Sequence, residues 1–502
     1  MTGNASTAYE EVLRRVRTVM LLTSCGSVLG WDQQTYMPPK GNAHRADQLA
    51  LLAGLAHGQF TAPEIGERLA AVEASPLARD PDVAVNLREI RRLYDRATRV
   101  PGALVEEIAR TTAQAQEVWI AARKRSDFGL FRPWLEKIIG LKRKEAEAIG
   151  GGPVYDVLLD EYEPGVTATG LSALFADLAP ALRDLVGRIA ASGRQPDAAL
   201  LQRSYPVAAQ ESFGRAVAAA FGFDFEAGRL DPTTHPFCSG IGPGDTRLTT
   251  RYNPKDFGDA FFSIVHEAGH GLYDQGLDPA RYGTPLGAAV SLGIHESQSR
   301  LWENFVGRSR AFWDHWFPKA GAACPEALSG VEVDAFFFAV NDVRPSFIRV
   351  DADEATYNLH ILLRFELERV LLSGDLAVAD LPSAWADGMR KNLGIVPPND
   401  AQGCLQDIHW SGGAFGYFPT YTLGNVYAAQ LFATAQAALG DLPAQFRRGE
   451  YRPLQEWLRD AIYRHGQRYR AADLVTRVTG TPPSPTFLLR HLREKLDPLY
   501  GL

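Results

Sequence analysis

Cysteine is scarce in this chain: four in 502 residues, at Cys25, Cys238, Cys324 and Cys404, with no Cys-x-x-Cys pair. That excludes a disulfide-stapled scaffold and a cysteine-built zinc module, and it suits reduced thiols in a cytoplasm. Basic charge is not in excess either. There are 52 Lys and Arg against 59 Asp and Glu, a net charge of −7, so no nucleic-acid partner is expected. No run of 18 apolar residues occurs, so no membrane-spanning helix is expected. Leu22-Thr23-Ser24-Cys25 looks like a lipoprotein processing site, but the apolar run before it covers only 19–22. Glu10 and Glu11 also sit where a signal peptide is basic, so secretion is not expected. Internal repeats, low-complexity tracts and disordered linkers are lacking too.

What is present is an ordinary globular composition, 46% hydrophobic and 22% charged, enough to bury a large core. Apolar residues recur at helical spacing over 9–29, 45–56, 62–73, 84–99, 104–125, 132–149, 171–191 and 208–221. Two prolines and a glycine break the pattern within 31–41, and 155–165 reads as a connector. Between 224 and 252 Pro, Gly and Thr become frequent, and 247–252 alternates like a strand. Helices resume after Glu296 and fill most of 452–498. The expectation is a mainly α-helical catalytic body over 1–502, in one or two lobes, with a small β-sheet beside one central helix.

That central helix is 253–276. Asn253 suits the cap, Pro254 the first helical position and Gly276 the exit. Phe257, Ala260, Phe261, Ile264, Val265, Ala268 and Leu272 form an apolar face, while Asp259, Ser263, His266, Glu267, His270 and Asp274 form a polar stripe. His266 and His270 are one turn apart, so each can aim a ring nitrogen at one tetrahedral metal ion. Glu267, beside the first histidine, is placed to act as a general base. Asp274, one turn past His270, suits an acid that orients an imidazole and equally a solvated helix residue. A third ligand is expected from the next helical segment. Glu296 lies there, with Ile294, Leu301 and Phe305 on one face and Gly307 at its end. Two histidines and one carboxylate leave the fourth position open, as a catalytic zinc site requires.

Four other clusters are rich in polar chemistry: His235-Pro236-Phe237, Asp245-Thr246-Arg247-Leu248-Thr249, Ile348-Arg349-Val350-Asp351-Ala352-Asp353, and Gly403-Cys404-Leu405-Gln406-Asp407-Ile408-His409-Trp410 with a Gly/Tyr-rich stretch through Tyr421. Singly they have structural readings. Asp351 and Glu354 suit a capping box, and Asp245 with Arg247 suits a braced sheet edge. In their order along the chain, together with His266 to His270 and His295-Glu296-Ser297-Gln298, they resemble the carboxypeptidase Taq family of metallopeptidases. Residues 31–41 and 155–165 are similar to that family as well.

The resemblance implies a helical fold with a deep groove, a homodimer, zinc (or cobalt) as cofactor, and removal of C-terminal residues from peptides with broad specificity. It makes His266, His270 and Glu296 the metal ligands and Glu267 the general base. It suggests His409 and Tyr421 as donors to the tetrahedral intermediate, with Tyr417 as the alternative to Tyr421. A carboxypeptidase must also hold the substrate's free carboxylate. Arg349 suits that through its planar fork, with Arg247 as rival and His235 as a further substrate contact. The competing enzyme is an oligoendopeptidase or dipeptidyl carboxypeptidase on a similar scaffold. A non-catalytic metal-bound peptide-binding protein would have no need of Glu267.

Overall fold

The chain opens on a helical hairpin, α1 (Thr2–Thr35) and α2 (Asn42–Phe60), in a computed structural model that describes residues 2–502. The sequence predicts a break from Trp31, yet α1 runs on to Thr35. Packing carries it: the Trp31 ring is 6% exposed and lies under the guanidiniums of Arg229 and Arg247, 4.9 and 4.3 Å from the ring centre. Pro38 and Pro39 then prevent continuation. Val12 and Val16 of α1 pack with Ile65, Leu69, Val72, Val83, Leu87 and Ile90 in a satellite core. A far larger core joins side chains from Ala115 to Tyr500.

The predicted succession of helices is present: Pro63–Glu73, Pro81–Arg99, Gly102–Arg125, Phe128–Ile149, Ala168–Ala191 and Val207–Phe221. The expected connector holds a short helix, Val154–Leu159, followed by turns. Near the C-terminus come Arg452–Ala461, Ala471–Thr479 and Thr486–Tyr500.

The strand signal resolves into a three-stranded mixed sheet of β1 (Gly228–Pro232), β2 (Cys238–Gly242) and β3 (Asp245–Thr250), in the order β1-β3-β2. β1 runs parallel to β3 with Leu230 opposite Leu248, and β2 runs antiparallel with Cys238 opposite Leu248. β3 packs directly on the next helix, α3 (Phe257–Gly276), with Leu248, Thr249 and Thr250 buried.

α3 starts three residues later than its sequence suggests. Asp256 caps it, its carboxylate accepting from the N–H groups of Gly258 and Asp259 at 2.8 and 3.1 Å. Asn253 instead closes a local turn on the Lys255 N–H at 3.0 Å. The apolar face of α3 is aromatic. Phe257 and Phe261 stack at 5.3 Å, and Phe261 meets Phe213, Phe312 and Trp313.

Beyond α3 the backbone forms α4 (Leu292–Arg300) and then a buried π-helical segment, Leu301–Gly307, where the sequence suggests one uniform helix. α5 (Tyr357–Ser373) and α6 (Pro419–Leu439) complete the walls around it. α4 is gripped between α3 and α6, and two glycines permit the grip. A Cβ on Gly269 of α3 would stand 2.6 Å from the Gln298 carbonyl oxygen, and one on Gly424 of α6 would stand 2.4 Å from Glu296 Cγ. Only glycine lets both neighbours come this close.

Candidate metal centre

His266 and His270 project from one side of α3, and Glu296 projects from α4 to meet them. One nitrogen of each imidazole and one carboxylate oxygen lie within 4.8 Å of each other. Glu296 Oε2 is 3.6 Å from His266 Nε2 and 3.5 Å from His270 Nε2. Both Nδ1 atoms are already engaged, which leaves the two Nε2 atoms to face the carboxylate. His266 Nδ1 meets Glu303 Oε2 at 2.9 Å. His270 Nδ1 meets His295 Nδ1 at 2.6 Å, and His295 Nε2 meets Asp274 Oδ1 at 3.1 Å. Partners behind a ligand imidazole fix its ring and tautomer. Asp274 therefore does orient an imidazole, but through His295 rather than by direct contact with His270. Two imidazole nitrogens and a carboxylate oxygen are the donors that zinc and cobalt accept, so the residues fit such an ion.

The N-terminus of α4 is anchored by the 155–165 stretch. Glu163 accepts from the Gly293 N–H at 2.8 Å, from the Ser291 hydroxyl at 3.0 Å and from the Tyr427 hydroxyl at 3.3 Å. A carboxylate at that end also meets the positive end of the helix dipole. Burial nevertheless pushes the Glu163 carboxyl up to about 7.

Burial and opposing charges set the electrostatics. Glu267, 7% exposed, is pushed up to about 7, by burial first and then by the carboxylates of Glu296 and Glu303 against His266. A carboxyl poised there suits proton traffic near neutrality. Burial brings His270 down to about 4. In His266 burial is outweighed by Glu296 and Glu303, which hold it above its ordinary value. Glu296 stays well below the usual carboxylate range despite burial, because Arg300 and His266 stand beside it.

A second cluster adjoins the first. His409 Nε2 and the Tyr421 hydroxyl are 3.2 Å apart, and the Tyr417 and Tyr421 rings are 5.4 Å apart. Burial, then Arg349, lowers His409 to about 4, while burial raises the Tyr421 phenol well above its ordinary value. The turn bearing His409 is tied to α5 by Glu368. That carboxylate accepts from Trp410 Nε1 at 2.9 Å, the Tyr155 hydroxyl at 3.0 Å and the Gly416 N–H at 3.1 Å.

Arg349 lies within this cluster, its guanidinium carbon 5.0 Å from the Tyr421 ring centre. Its Nε donates to Asp407 at 2.9 Å and its Nη1 to the Tyr357 hydroxyl at 3.0 Å. The suggested Asp351–Glu354 capping box does not form. Asp353 takes the N–H groups of Ala355 and Thr356 at 2.9 and 3.0 Å, and Glu354 pairs with Lys495 at 2.6 Å and His491 at 2.8 Å. The other two candidates stand elsewhere. Arg247 is held by both oxygens of Asp245, at 2.8 and 2.7 Å, and lies over Trp31. His235 is exposed on the loop between β1 and β2.

Four residues that sequence reasoning left without a role join these clusters. Glu303 holds His266, Arg300 holds Glu296, Asp407 holds Arg349, and Tyr357 joins the two clusters. The Tyr357 ring lies 4.4 Å under the Arg300 guanidinium while its hydroxyl accepts from Arg349. Arg300 and Glu303 had a signal, being one and two turns past Glu296. Tyr357 had none, because only the fold places it between two arginines.

Comparison with known proteins agrees with this geometry. The model of the carboxypeptidase Taq (M32) metallopeptidases matches residues 11–496. The chain is 49% identical to thermostable carboxypeptidase 1 of Thermus thermophilus, over 98% of this chain and 99% of the relative. It is 39% identical to carboxypeptidase 1 of Bacillus subtilis, over 95% of each. The crystal structure of an M32 carboxypeptidase from Deinococcus radiodurans superposes with a TM-score of 0.96 at 42% identity, covering 99% of this chain and 100% of that one. Metallocarboxypeptidase 1 of Trypanosoma cruzi superposes at 0.93 with 33% identity, covering 97% and 99%. This chain belongs to the carboxypeptidase Taq (M32) family and is a metallocarboxypeptidase.

Proposed function

We propose that the protein removes C-terminal residues from peptides with broad specificity, using His266, His270 and Glu296 to hold one zinc or cobalt ion. The observation that carries this is the convergence of the three side chains with both Nδ1 atoms already satisfied. Such an ion would polarise the scissile carbonyl and acidify a water. Glu267, buried beside His266 on α3, takes a proton from the attacking water and passes it to the leaving amine. His409 stays neutral and Tyr421 stays protonated at pH 7. Their N–H and O–H can thus donate to the oxygen of the tetrahedral intermediate, with Tyr417 the alternative to Tyr421.

The substrate's terminal carboxylate pairs with Arg349 in this reading. A buried carboxylate needs a cation, and a guanidinium fork matches its two oxygens. Arg247, already held through two bonds by Asp245, is the weaker choice, and His235 is left as a contact at the outer end of the substrate. The active unit is a homodimer. In support, the α1–α2 hairpin carries no Asp, Glu, Lys or Arg between 48 and 60 and exposes Leu21, Leu51 and Leu55 at 51%, 64% and 49%. All four cysteines are free, which suits a reducing cytoplasm.

The experiment is a peptide ladder read by mass spectrometry, with free-acid and C-terminally amidated versions of one blocked peptide. Sequential loss of single residues from the free acid alone supports the proposal. Equal cleavage of the amide indicates an endopeptidase, and release of residue pairs a dipeptidyl carboxypeptidase.

A further inference from the structure

Glu296 has two carboxylate oxygens, and only one of them faces the histidines. Oε2 lies 3.6 and 3.5 Å from the two Nε2 atoms and accepts from the Ser299 hydroxyl at 3.0 Å. Oε1 points the other way and accepts from Arg300 Nε at 2.7 Å. This is a short, charge-assisted bond in a buried setting, one of the stronger kinds of hydrogen bond.

Arg300 is itself held in place. Its side chain is 15% exposed, its guanidinium lies 4.4 Å over the Tyr357 ring, and Nη1 reaches Glu303 Oε2 at 3.4 Å. Glu303 in turn holds His266 Nδ1 and is paired through Oε1 with Arg308 at 3.1 Å. Two carboxylates and two guanidiniums thus balance one another behind the triad. For Oε1 to swing toward an ion, Arg300 would have to give up its partner inside the protein, which leaves a buried cation less well paired.

A carboxylate that ligates through both oxygens adds a fourth protein atom to two imidazoles. With the water or substrate oxygen also bound, the ion then carries five ligands instead of the four of a tetrahedral catalytic site. We infer that Arg300 is a positioning residue that confines Glu296 to ligation through Oε2 alone and so keeps the ion at four ligands. This rests on the metal-holding role of His266, His270 and Glu296 proposed above.

The test is the coordination number, read on the full-length enzyme by zinc X-ray absorption and by the visible spectrum of the cobalt-loaded form. The wild type is expected to show two imidazoles, one carboxylate oxygen at about 2.0–2.2 Å and one further oxygen. Arg300→Met keeps a buried stem over Tyr357 but cannot bind Oε1. Its folding is checked by circular dichroism of the metal-free protein. In the folded variant the coordination number is expected to rise by one, the cobalt absorption to weaken as the site leaves tetrahedral geometry, and turnover to fall about 10–100-fold. Both Glu296 oxygens at bonding distance in the wild type would overturn the inference, whether or not the variant folds. So would a folded variant with unchanged spectra. A wild type that takes up no metal through these three residues defeats the metal reading itself, a different and separable result.

Discussion

Arg349 and Asp407 form an ion pair of 2.9 Å, with 7% and 8% of the two side chains exposed. The second oxygen of Asp407 is taken by Arg364 at 2.7 Å, so one carboxylate faces two guanidiniums. It lies well below the usual carboxylate range, because Arg349 and Arg364 outweigh its burial. The cluster keeps a net positive charge at the place where a peptide's terminal carboxylate is proposed to lie.

Arg349→Ala should therefore lose about 2–5 kcal/mol in kcat/KM on free-acid peptides. The small activity on C-terminally amidated peptides should hardly change. Parallel kinetics on one matched pair of peptides checks this. Equal losses on both would make Arg349 a structural residue and transfer the carboxylate-binding role to Arg247.

Gly424→Ala places a methyl group 2.4 Å from Glu296 Cγ and 2.7 Å from its Cβ. α6 is packed against α4 on that side, so the clash falls on the stem of a proposed ligand. Overpacking of this kind costs about 1–3 kcal/mol of stability, and zinc affinity should fall with it. Thermal melts with a zinc titration measure both. Unchanged affinity would show that the backbone yields without moving Glu296.

Glu368 gives a prediction in pH. Burial pushes its carboxyl from 4.5 up to about 7, against three hydrogen bonds that act in the opposite direction. Between those values the folded protein keeps a proton that the unfolded chain has released, so raising the pH favours unfolding there. Below about 4.5 both states hold the proton and above about 7 neither does, so the slope vanishes outside the window. The effect is a few kcal/mol at most, at about 1.4 kcal/mol per unit. Glu163 titrates over the same range, so Glu368→Gln should reduce the slope of unfolding free energy against pH without abolishing it. Denaturant melts at pH 5 and pH 8 test this, and parallel slopes in wild type and variant would contradict it.

Much of this was legible in the sequence because helices announce themselves locally. The apolar periodicity placed the helices, and the spacing of His266 and His270 needed nothing beyond helical geometry. Glu296 followed because a third donor had to come from the next helical segment. The misreadings lie where tertiary contacts override local signals. Trp31 extends α1 because two arginines cover its ring, although the prolines beyond suggested an earlier stop. Asn253-Pro254 resembles a helix start, but Asp256 offers the geometry that the first N–H groups need. Asp351 and Glu354 have capping-box spacing, yet Lys495 and His491 claim Glu354 from a helix far along the chain. Arg300 and Glu303 carried a local signal in their helical spacing from Glu296, whereas Tyr357 and Asp407 gain their roles only once α4, α5 and the turn before Trp410 are assembled.

In the proposed mechanism one carboxyl, Glu267, moves the proton beside a metal held by His266, His270 and Glu296. Glu267→Gln keeps the size of the side chain and its place on α3 but cannot accept the proton. Metal analysis and single-turnover kinetics of the purified variant measure this directly. One equivalent of metal should be retained and kcat should fall by at least about 100-fold. Near-normal turnover in the metal-loaded variant would contradict that mechanism.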